Sequence, residues 1–136
     1  MDFMTWTRDL SVGVEVLDDD HKKLIGIINQ LHYGITVGHK REILEAVLDQ
    51  LVDYTIFHFA REEELLAKTD YEATDAHKTE HKNFIAKISN LNARLKKSPV
   101  IMLDLELMGF LRHWLISHIK GSDKKYGSHL NASGIS

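Results

Sequence analysis

Apolar residues return at steps of three and four along four successive stretches of the chain, the spacing that lays a stripe down one face of an α-helix. The first stripe reads His21, Leu24, Ile25, Ile28, Leu31 and Ile35. It follows an irregular arm over residues 1–18 and opens at the Asp18-Asp19-Asp20 run, whose carboxylates suit the positive end of a helix dipole. Gly38 is placed to close it. A second stripe, Leu44, Leu48, Leu51, Thr55, His58, Glu62 and Leu65, predicts a helix from near His39 to Ala67. A third, His77, His81, Phe84, Ile88, Leu91 and Leu95, predicts one from Tyr71 or Thr74 to Lys97. Ser98-Pro99 is a start signal for a fourth: a hydroxyl cap, then proline where the helix needs no N–H. Ile101, Leu105, Met108, Leu111, Leu115 and His118 form its stripe, and Gly121 is expected to end it.

Four helices joined by short connections favour an all-α fold, an antiparallel up-down-up-down four-helix bundle. The expected organisation is a single domain: an N-terminal arm, a bundle over residues 19–121 and a tail over 122–136. No strand alternation or internal repeat competes. Gly26, Gly34 and Gly109 each cost about 1 kcal/mol relative to alanine inside a helix, and are read as points of close helix contact.

The stripes carry chemistry as well as packing. His21 falls at the start of the first helix, His58 and Glu62 near the end of the second, His77 and His81 at the start of the third, and His118 at the end of the fourth. In an antiparallel bundle these places are one pole. Positions i and i+4 are separated by about 6 Å of rise and about 40° of turn, so each of the pairs His58/Glu62 and His77/His81 can address one centre. Asp123, five residues after His118, joins them if a glycine break at Gly121 returns the chain. Burying such groups unpartnered costs several kcal/mol, on the order given for isolated buried polar groups, and a metal removes that cost.

Nine histidines and no cysteine mean that any metal binds nitrogen and oxygen. Imidazole with carboxylate suits iron, zinc or copper. Zinc usually takes four ligands, and seven side chains around two six-coordinate ions fit iron better, with manganese or cobalt as alternatives. If both carboxylates bridge, the seven residues and a bridging hydroxide fill all but one position of two octahedral ions, leaving a vacancy for an exogenous ligand.

Composition narrows the partners. Of 136 residues, 43% are apolar and 27% charged, with a net charge of −3, the balance of an ordinary globular protein. A basic stripe with interleaved aromatics is lacking, which argues against nucleic acid. No apolar run reaches the roughly 20 residues of a membrane span, and MDFMTWTRDL resembles neither a signal nor a transit peptide. A cytoplasmic monomer is the expectation.

These residues resemble the hemerythrin family, in particular its single-domain bacterial members, the bacteriohemerythrins, over nearly the whole chain. Trp6-Thr7, Val12-Gly13-Val14 and Asp18-x-x-His21-x-x-Leu24 are similar to the family's opening, and His58-Phe59-x-x-Glu62-Glu63 to its second motif. His77-x-x-x-His81-x-x-Phe84 resembles the third motif, and Trp114-Leu115-x-x-His118-Ile119-x-x-x-Asp123 the fourth. The resemblance implies two iron ions, cycling between ferrous and ferric, joined by a hydroxo or oxo bridge and binding dioxygen reversibly. His77, His81 and His118 would ligate one iron, His21 and His58 the other, and Glu62 and Asp123 would bridge them. Leu24, Phe59, Trp114 and Ile116 match the family's apolar oxygen pocket.

Asp20 stands where the family often has glutamine, and the stretch before His77 lacks a frequent proline; neither departure is expected to touch a ligand. His32, His39, His113 and His129 match no ligand position and are read as exposed or interfacial, His129 in a frayed tail. Met102 and Met108 are read as core filler, and Glu63 and Glu64 as solvated, with one of them a candidate to orient an imidazole. Oxygen carriage leads the functional readings. A diiron oxidase or peroxidase and an oxygen or redox sensor module remain as alternatives.

Overall fold

In the computed structural model, which describes residues 3–38, 40–97 and 105–136, helix α1 spans Glu15–Val37, α2 Arg41–Lys68, α3 Thr74–Lys97 and α4 Leu105–His118. A 3-10 turn at Arg8–Leu10 precedes them. A π-helical turn at Ile119–Asp123 and a further helix, α5 over Lys124–Ala132, follow. No strand occurs among the described residues.

Cross-helix contacts give the directions. Late α2 meets early α3 where Glu62 faces His77, and early α2 meets late α3 where Asn92 Nδ2 donates to Asp49 at 2.7 Å. Early α1 meets late α2 where Asp20 accepts from His58, and early α3 meets late α4 at the His81 and His118 rings. Neighbours are therefore antiparallel, as the stripes predict. Leu31, Leu48, Leu51, Ile88 and Leu111, all at 0–1% exposure, fill the bundle below this pole.

The ends of the helices differ from expectation in instructive ways. α1 begins at Glu15 rather than at the aspartate run, because the wholly buried Val14 enters from the arm in an extended conformation and starts the helix there. Asp18 reaches back instead, accepting from Ser11 Oγ at 2.6 Å and from the Val12 N–H at 2.8 Å, and so grips the arm. Gly38 closes α1 in the left-handed region, φ +75°, with its N–H turned to Gly34 and Ile35 carbonyls. α2 continues one residue beyond Ala67, and of the two expected starts α3 takes Thr74, whose hydroxyl donates to the Tyr71 carbonyl at 2.6 Å. His39, the Ser98-Pro99 signal, Ile101 and Met102 lie outside the described residues.

The largest correction is at the C-terminus. Gly121 does not end the fourth helix, and residues 122–136 are not a loose tail: α5 buries Tyr126, Gly127 and Leu130. The close backbone approach is also here. A Cβ on Gly127 would lie 2.0 Å from the Val12 carbonyl oxygen, so this glycine lets the arm cross α5, whereas Gly26 and Gly109 have open space around them and mark no close contact. Asn131 Nδ2 donates to the Gly13 carbonyl at 2.9 Å and completes the clasp.

Candidate metal centre

Glu62, wholly buried on α2, lies at the middle of the polar pole, and its two oxygens face different imidazoles. Oε1 is 2.7 Å from His58 Nε2 and 3.3 Å from His21 Nε2. Oε2 is 2.9 Å from His81 Nε2 and 3.2 Å from His77 Nε2. Asp123 divides in the same manner: Oδ2 is 3.2 Å from His21 Nε2, while Oδ1 is 2.9 Å from His118 Nε2 and 3.2 Å from His77 Nε2. All seven residues expected at one pole come together there, none more than 5% exposed. They form two overlapping groups that could each hold a cation, His21 with His58 and Glu62, and His77, His81 and His118 with Glu62 and Asp123.

The route that brings Asp123 in is not the one its spacing suggested. Five residues along a regular α-helix would carry it about 140° round from His118. The π-turn absorbs the extra residue: the Lys124 N–H bonds the Ile119 carbonyl, five residues back, and Asp123 returns to the face of His118 without a break at Gly121.

The comparisons with known proteins agree with this geometry. A family profile described as the hemerythrin HHE cation binding domain matches residues 12–130. The chain belongs to the hemerythrin family. A bacteriohemerythrin of Stenotrophomonas maltophilia is 36% identical over 132 residues, covering 97% of this chain and 84% of that protein. One of Methylococcus capsulatus is 34% identical over 133 residues, 97% of this chain and 100% of that protein. A crystal structure of wild-type hemerythrin matches 94% of this chain and 98% of its own with a TM-score of 0.88 at 32% identity.

The pole's own atoms fit the cations a hemerythrin-family domain holds. His81 and His118 Nε2 approach carboxylate oxygens at 2.9 Å, yet neither nitrogen, nor either oxygen of Asp123, makes a hydrogen bond. Buried donors and acceptors at such distances without hydrogen-bond alignment are what a shared cation would satisfy. Protons otherwise take its place. Burial pulls the His21 pKa down, but Asp123 and Glu62 outweigh it and raise it to about 10; the same balance raises His77 to about 9. Burial pushes the Glu62 and Asp123 carboxyls up, and the imidazoles facing them, His58 and His118 foremost, hold both below the usual carboxylate range.

Aromatic rings fix the imidazole planes. Phe59 stacks on His81 with centroids 3.6 Å apart, and Trp114 on His118 at 4.4 Å. A cavity of about 10 Å³ for the centre of a water-sized molecule adjoins His21, His58, His118 and Asp123, walled by Leu24, Phe59, Trp114 and Leu115 among others. It is at the lower limit for holding one small molecule. Ile116 does not line it: two residues on from Trp114 it points about 200° round the helix and packs, half-buried, against the core elsewhere.

Several groups around the site escape a reading of stripes. Asp20 was expected to cap a helix and leave the ligands alone; instead its buried carboxylate accepts from His58 Nδ1 at 2.9 Å. Burial pushes its pKa up, but His58, Tyr54 and Arg61 together hold it below its ordinary value. Glu80 accepts from His118 Nδ1 at 2.8 Å and from Ser122. Tyr126 donates to Glu62 Oε1 at 2.7 Å. Each falls at the i+3 position of a helical stripe, Leu17-Asp20-Leu24, His77-Glu80-Phe84 and Asp123-Tyr126-Leu130, so spacing alone does not tell which of them reaches a ligand or a bridging carboxylate.

Glu64 is solvated as expected, and Glu63, 29% exposed, lies 3.5 Å from His81 Nδ1, too loose to be a hydrogen bond. His32 stacks on Phe3 and His113 is exposed. His129 is not frayed, because its Nε2 bonds the Thr69 carbonyl at 2.8 Å and ties α5 to the end of α2.

Proposed function

We propose that this chain binds dioxygen reversibly at a non-haem diiron centre, storing or delivering oxygen rather than transforming a substrate. The observation that carries the reading is the division of Glu62 and Asp123, each with one oxygen toward the His21 side and the other toward the three-histidine side. In this reading His77, His81 and His118 would hold one iron, His21 and His58 the other, and Glu62 and Asp123 would serve both. When bound, the iron pair supplies the reversible exchange of electrons with dioxygen.

The chain's own residues favour carriage over activation. Leu24, Phe59 and Trp114 give the cavity beside His21 and His58 an apolar wall, a lining that disfavours water. Thr55, the polar residue of that wall outside the proposed ligands, spends its hydroxyl on the Leu51 carbonyl at 2.7 Å, so it offers no proton to the cavity. An oxygenase needs an acid there.

No helix among the described residues is long and apolar enough to cross a membrane. A cytoplasmic monomer, with dioxygen as its ligand and no nucleic-acid partner, is part of the same proposal. Anaerobic reduction of the iron-loaded protein, followed by air and then by oxygen removal, tests it. The visible spectrum should change and recover over repeated cycles, with one dioxygen taken up per iron pair. Oxidation that oxygen removal does not reverse overturns carriage, and sustained turnover with a reductant replaces it with an oxidase.

A further inference from the structure

Among the imidazoles of the pole, His58 has a distinctive support. Its Nδ1 donates to Asp20, whose side chain is only 6% exposed and also accepts from the Tyr54 hydroxyl at 2.8 Å and faces Arg61 Nε at 3.3 Å. The equivalent partner of His118, Glu80, has its side chain 46% exposed. His81 Nδ1 and His21 Nδ1 have no hydrogen-bond partner. A full carboxylate charge, desolvated and pinned by donors from α2, thus stands behind one imidazole of the two-histidine group.

We propose that Asp20 is a positioning residue that sets the properties of that half of the centre. This rests on the diiron reading above. An ionised carboxylate can only accept, so it fixes His58 with the proton on Nδ1 and the lone pair of Nε2 turned to the metal side, where Nε2 lies 2.7 Å from Glu62. Its charge also makes the imidazole a stronger donor, which favours the higher oxidation state of the iron beside His21 and His58. Burial keeps solvent and salt from screening that charge, whereas Glu80 acts on His118 through a half-exposed side chain. Tyr54 and Arg61 offset the cost of burying it.

Asp20→Asn keeps an acceptor of the same shape and removes the charge; Asp20→Ala removes both; Glu80→Gln is the screened counterpart. Two readouts separate position from charge: iron affinity of the metal-free chain by chelator competition, and the midpoint potential and oxygen half-saturation of the iron-loaded chain. Asp20→Ala should lose about 10–100-fold in iron affinity, the range for groups that support a metal ligand. Asp20→Asn should stay loaded but move the potential positive and need more oxygen for half-saturation, by more than Glu80→Gln does. An Asp20→Asn protein with unaltered potential, or one shifted no further than Glu80→Gln, overturns the proposal. Should Asp20→Ala fail to fold, the Asn variant carries the test alone. If the parent loads iron yet takes up no oxygen, carriage fails while affinity and potential still decide the role of Asp20.

Discussion

From Leu51 to the far end of the bundle the interior is apolar among the described residues, with Leu31, Leu48, Ile88 and Leu111 wholly buried; two turns further along α2 the helices and the π-turn together bury five imidazoles, three carboxylates and the Tyr126 phenol. The apolar half gains from any side chain of suitable volume, because burial of hydrocarbon is non-directional. The polar half has no such latitude. Each buried nitrogen or oxygen must meet a partner at the right distance, and the partners come from all five helices and the π-turn. Both regions therefore contribute to stability, but only the polar one determines what the fold can hold.

The contrast is broken most severely at Glu62, whose oxygens face four imidazoles. Glu62→Ala should abolish loading of the iron pair, read by metal analysis after reconstitution, and should cost the metal-free chain about 3–5 kcal/mol in denaturant unfolding, as when one partner of a buried ion pair is removed. A variant that still holds two irons per chain would show that the carboxylate does not span the pair. Leu48→Ala makes the complementary cut in the apolar half. It should lower stability by about 2–5 kcal/mol through the cavity it leaves, while iron content after reconstitution stays that of the parent. Loss of iron from this folded variant would mean that the halves are not separable.

The smallest effect belongs to the rim of the apolar half, where Asp49 accepts from Asn92 Nδ2 at 2.7 Å and Lys96 Nζ at 2.9 Å. The Asn92 hydrogen bond, with help from Lys96, lowers the Asp49 pKa from its ordinary 3.8. A depressed carboxyl contributes stability above its unfolded-state value and loses it as pH falls through the folded one. Asp49→Asn should therefore cost only about 0.2–1 kcal/mol near neutral pH, less in high salt, and nothing in strong acid, where parent and variant unfold alike. A difference that persisted in acid would assign the effect to packing instead.

Periodicity alone made much of this protein legible. The alternation of three- and four-residue steps placed His58 with Glu62 and His77 with His81 on inward faces, and the order of the helices placed those faces at one pole, because both depend only on the regular geometry of a helix and on short connections. The absence of cysteine restricted the ligands to nitrogen and oxygen. What needed the tertiary structure are the places where a side chain's role is set by a group far along the chain. Asp20 finds His58 38 residues away, and Tyr126 finds Glu62 64 residues away. The π-turn that aims Asp123 departs from helical period by one residue, a departure that the sequence around Gly121 does not announce and that packing of α5 under the arm accompanies. Local pattern decides which face a residue occupies; the direction of a buried polar group is decided by the partner it must meet.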